Sequence, residues 1–99
     1  MLMAGSLDAL TVTDFESHAG DTFRLLATPE IELKLAQVRR HGQALREGGA
    51  FSLFFLAPPG KFLPQAIYPL VHPELGTLEI FIVPIGPMDG GNGYQAVFT

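Results

Sequence analysis

His72 and Glu74, two residues apart in His72-Pro73-Glu74-Leu75-Gly76, are the side chains best placed for chemistry in this sequence. An imidazole and a carboxylate at that spacing can share a proton or hold a metal ion, and Tyr68 or Tyr94 would join them at the mouth of a small barrel. The same five residues also spell a tight hairpin. Pro73 fixes the first turn position, Gly76 supplies a positive φ, and His72 caps the loop by hydrogen bonding. The chain has three His (His18, His41 and His72), no HExxH spacing and no Cys. The turn is therefore the favoured reading, and no metal ligand or cofactor is expected.

The other reactive residue types are spread without a catalytic pattern. Ser6, Ser17 and Ser52 lie outside any nucleophile-elbow motif, and Ser52 falls inside an apolar run. Glu30 and Glu32 share a strand face with Lys34, the charge alternation of a wet sheet surface. Asp89-Gly90-Gly91-Asn92-Gly93 offers one carboxylate, where calcium wants several oxygen ligands, and it lacks the Gly-Lys-Ser/Thr ending and following helix of a phosphate loop. Arg39, Arg40, His41 and Arg46 form the basic cluster, a possible anion or acidic-partner site but more simply a solvated hairpin flank beside the FSLFFL run. These patterns predict a protein that is not an enzyme, with no catalytic residues.

The elements that must position these residues read as mainly β. Of 99 residues, 47% are hydrophobic and 16% charged, so one core is expected and disorder is not. Thr13-Asp14-Phe15-Glu16 fits a capping box for one short helix, with Thr13 as cap and no hydrophobic staple at Val12 and Ser17. Thr22–Ala27 forms a short strand. Ile31, Leu33 and Leu35 alternate with charged residues, and the phase slips near Ala36-Gln37, where a bulge is expected. Phe51–Ala57 is apolar on both faces and suits a central strand. Ala66–His72, Thr77–Val83 and Tyr94–Phe98 complete about six antiparallel strands in a small barrel or sandwich, with Pro84–Gly93 as a loop. Pro69 cannot donate a ladder bond, so its strand sits at an edge or turns the missing amide away from a neighbour. The chain reads as a single β domain over 1–99, with 1–9 as a flexible N-terminal extension.

Net charge is −4 and neither half is basic, which disfavours nucleic acid. The start lacks a basic n-region, and the 13-residue charge-free run Gly48–Gly60 is too short to cross a membrane, so a cytoplasmic protein without membrane contact is expected. Few charges leave apolar surface uncovered, which predicts a homo-oligomer or an obligate protein partner. Phe54 and Leu56, on the second face of their strand, Tyr94 and Phe98 on a possible edge strand, and the cations Arg39 and Arg40 are the candidate partner-binding residues.

The stretch Leu63-Pro64-Gln65, Tyr68, His72-Pro73-Glu74-Leu75-Gly76, Phe81-Ile82-Val83-Pro84-Ile85-Gly86-Pro87 and Tyr94-Gln95-Ala96-Val97-Phe98 resembles a bacterial family of small uncharacterised domains. The likeness extends over Leu10 to Phe23. Pro69 and Thr99 depart from the family's more usual polar residue and Asn. Such domains are often encoded beside proteins resembling phage tail-collar proteins. The resemblance thus implies an accessory, chaperone or structural role in a phage-tail-like assembly, with a tail-collar-like protein as partner. The alternative is a small β-barrel that binds a ligand or metal, or acts as a minor enzyme, at the end bearing Tyr68, His72 and Glu74.

Overall fold

The computed structural model describes residues 10–27, 30–41, 50–60 and 62–98. The expected 1–9 extension and Arg46 lie outside the described residues. One short helix, α1 (Val12–Glu16), precedes β1 (Thr22–Leu25), β2 (Ile31–Arg40), β3 (Phe51–Ala57), β4 (Ala66–His72), β5 (Gly76–Met88) and β6 (Gly91–Phe98). The strands close in the order β1-β2-β3-β6-β5-β4, every pairing antiparallel. This is a barrel rather than a sandwich. Among the described residues no helix is long and apolar enough to cross a membrane.

Alternation of side chains sets the inside and outside of the wall. Phe23, Leu25, Leu33, Leu35, Leu53 and Phe55 point inward with Ile80, Ile82 and Tyr94, all at most 1% exposed. The β2–β3 register slips between Leu35 and Gln37, the bulge anticipated from the apolar phase. It lets Val38 return to the inner face opposite Leu53.

Helix α1 plugs one end of the barrel. Phe15 is fully buried, with its ring centroid 5.7 Å from those of Phe51 and Phe98, and Phe51 and Phe98 stack at 4.6 Å. The cap falls two residues before the expected one: Thr11 is the N-cap, and the Asp14 carboxylate accepts the Thr11 backbone N–H at 2.8 Å. That frame puts Leu10 and Phe15 at the two staple positions, so the apolar pair missing from the Thr13 frame is present here. Glu16 is released from capping and takes both the Nε and Nη2 donors of Arg40, at 2.9 and 2.7 Å.

The C-terminal third departs furthest from expectation. Instead of a long loop from Pro84 to Gly93, β5 runs on to Met88 and pairs with β6 through Gly86–Gly93, Pro87–Asn92 and Met88–Gly91. Asp89 and Gly90 form the two-residue turn at φ 46° and 84°, the positive values a twisted hairpin needs. Gly91 is required by close approach, because a Cβ there would collide with the Ala57 carbonyl oxygen.

Pro69 sits at the seam between β1 and β4. Its carbonyl accepts the Leu26 N–H at 2.9 Å, so its nitrogen faces the same side, where only Arg24–Val71 and Leu25–Leu70 pair. The missing amide thus lies where the ladder is shortest. β4 nevertheless has neighbours on both sides, as does β6 between β3 and β5. The expectation that the strand of Pro69 or that of Tyr94 and Phe98 lies at an edge is corrected by closure of the barrel.

Candidate functional site

The most concentrated group of titratable side chains lies where the α1–β1 turn meets the β4–β5 turn. His72, 4% exposed, ends β4, and Gly76 opposite it takes φ 83°, closing a three-residue loop over Pro73, Glu74 and Leu75. The Glu74 and Leu75 backbone N–H groups both donate to His72 Nδ1, at 3.0 and 3.3 Å. Those two donors occupy the Nδ1 lone pair, which places the ring proton on Nε2. From there it is given to Asp21 Oδ2 at 2.9 Å.

His18 completes the group. Its Nδ1 is 3.0 Å from Asp21 Oδ2, its Nε2 is 3.3 Å from Glu74 Oε1, and its ring lies 4.3 Å from that of His72. The hydrogen bond from His72, and then that from His18, hold the Asp21 carboxyl below the usual aspartate range, against a smaller opposing effect of burial. Residues around the turn are fixed in turn by backbone bonds: Gly20 N–H to the Leu35 carbonyl at 2.7 Å and Leu35 N–H to that of Asp21 at 2.9 Å.

Ligand atoms of His18, Asp21 and His72 lie within 4.8 Å of one another, near enough for a metal ion. The donor chemistry does not fit one. A metal-bound imidazole gives its other ring N–H to an acceptor, whereas His72 Nδ1 faces two donors. The same two donors stop His72 Nδ1 from serving as a general base. What the group does is fasten two turns together across one barrel end.

The remaining candidates are dispersed. Tyr68 is not brought to His72; its hydroxyl donates to the Pro64 carbonyl at 2.8 Å. Tyr94 and Phe98 point inward at 0% and 8% exposure, and the Tyr94 oxygen accepts the Leu63 N–H at 2.9 Å. As partner-binding side chains both are corrected to core residues. Arg40 is held by Glu16, while the Arg39 guanidinium lies 5.4 Å over the Phe54 ring on the outer wall. The Glu16 hydrogen bond holds the Arg40 guanidinium still more firmly charged and lowers the Glu16 carboxyl. His41 Nε2 is 2.7 Å from Ser52 Oγ, but Ser52 is fully buried and out of reach of a substrate. Leu56 is half-buried on the outer wall. Sequence reasoning missed His18 and Asp21; the i,i+3 spacing across a glycine-ended turn was the available signal.

A filled barrel, a structural imidazole pair and an outer wall with uncovered apolar residues define a small closed β module. Residues 10–98 match the family model described as Domain of unknown function (DUF6916), and the chain belongs to that family. No curated protein and no solved structure matches it.

Proposed function

We propose that the domain acts by binding protein, as an accessory, chaperone or structural component of a larger assembly of the phage-tail kind, and that it also self-associates. The observation that carries this reading is a row of apolar side chains on the outer wall. Ile67, Phe81 and Val97, on β4, β5 and β6, are 62%, 49% and 57% exposed. Ile67 pairs directly with Phe81, and continuing the Val83–Gln95 register sets Val97 beside Phe81. Such a row has no role in the core, which is closed on the other face, and contiguous apolar surface of this kind favours contact with another protein. Phe54 under Arg39 extends the same wall.

The test is a pull-down from host extract together with light scattering on the pure domain, using Phe81→Ser and Val97→Ser. Loss of self-association or of partner capture in folded variants supports the reading. Undiminished association of both variants, or no association of the parent protein in either assay, overturns it.

A further inference from the structure

We propose that a second surface, a groove across the outer wall centred on Thr22, takes an extended basic segment of a protein partner. This rests on reading the domain as a binding module but uses a different face from the apolar row.

Three open hollows of about 250, 360 and 330 Å³ meet there. All three are lined by Thr22, the first two share Glu32, and the last two share Pro73. They therefore run as one channel from the Asp89–Gly90 turn to the Pro73–Glu74 turn. Leu56, Lys34 and Thr22 are register partners along its length, so it crosses β3, β2, β1 and β4 roughly at right angles. Three strand spacings give ~14 Å, room for about four extended residues.

The channel's chemistry selects the occupant. Asp21, Glu32, Glu74 and Asp89 line it with Arg24 and Lys34. Arg24 Nη1 is engaged by Glu30 at 3.2 Å, and Asp21 and Glu74 already face His18 and His72, so Glu32 and Asp89 are the acids open to an occupant, against Lys34. Between the charges the lining is Leu56, Pro58, Pro59, Val71 and Pro73, apolar surface on which the methylene stems of Lys or Arg can lie while their heads reach the acids. The chain's net charge of −4 draws in the same class of partner.

The probe is fluorescein-labelled tetralysine, followed by anisotropy at low salt, with tetraglutamate as comparator and amide shifts as the map. Tetralysine should bind, move the Thr22, Lys34 and Gly90 amides, and weaken roughly three- to thirtyfold in the Glu32→Gln/Asp89→Asn double variant. Asn tolerates the positive φ of Asp89, so that variant keeps its turn. Glu79→Gln, an exposed acid outside the channel, should change affinity little, and Phe81→Ala should leave it unaltered, which separates this surface from the apolar row. Absence of tetralysine binding, amide shifts elsewhere, or equal weakening per charge removed at Glu79 overturns the proposal.

Discussion

His72 Nε2 lies 2.9 Å from Asp21 Oδ2, joining the last residue of β4 to the residue just before β1, far apart in the chain. The bond depends on the other side of the ring, where two backbone N–H groups settle which nitrogen carries the proton.

Replacing His72 by Ala should therefore cost about 1–3 kcal/mol, because the Glu74 and Leu75 amides lose the acceptor that this buried ring gives them, while the exposed Asp21 carboxylate can turn to water. At about 4–8 °C per kcal/mol for a chain of this size, the drop is plain in a thermal melt. Glu74→Ala should change little, since its carboxylate is largely exposed. A melting point for His72→Ala equal to that of the parent contradicts this account.

Zinc in excess should leave the melting temperature unmoved. A rise would mean that His72 surrenders its two amide donors and turns its ring chemistry over to the ion.

Acid should weaken the fold through Asp21 and Glu16. Both carboxyls titrate below their ordinary values of 3.8 and 4.5 in the folded chain, Asp21 chiefly through its hydrogen bond to His72 and Glu16 chiefly through that to Arg40. Their contribution is present above those ordinary values and disappears as pH falls through the lowered ones. Melts at descending pH should show the decline, and Asp21→Asn should flatten part of it.

Gly91→Ala should cost about 2–3 kcal/mol, because a Cβ at that position meets the Ala57 carbonyl and must push β3 and β6 apart. Denaturant titration gives the value directly.

Phe15→Ala should cost about 3–5 kcal/mol, as a fully buried ring that touches both Phe51 and Phe98 is lost from the plug. Arg40→Ala, which cuts an exposed ion pair between the helix and β2, should lower the melting point far less.

The architecture was legible where one face of a strand is wet. The alternation from Ile31 to Leu35 and its slip before Val38 locate β2 and its bulge, because burial on one side alone forces a period of two. The hairpin reading of His72 to Gly76 follows equally from local chemistry. Where Pro and Gly crowd together local composition misleads: Pro84 to Met88 reads as loop, yet it remains in the ladder across an irregular register. The Asp89-Gly90 pair marked that hairpin and was outweighed by its neighbours. Side-chain roles suffered more than elements did. Tyr94 and Phe98 face inward because closure removes the edge they were assigned to, and His18 meets His72 only once the barrel has brought two turns together. Such long-range neighbours leave no spacing to read.

The β1–β4 seam, with its two residue pairs and a proline beside them, makes the barrel wall uneven in durability. A transient breach would open there first, converting a wall without ends into a curled sheet whose two raw margins, β1 and β4, lie open to other chains. Amide exchange at Arg24 and Leu25 ahead of the β3–β6 ladder is the sign of that breach. The short seam is thus the place where an unwanted contact between copies would have its opening, apart from any association of the closed form.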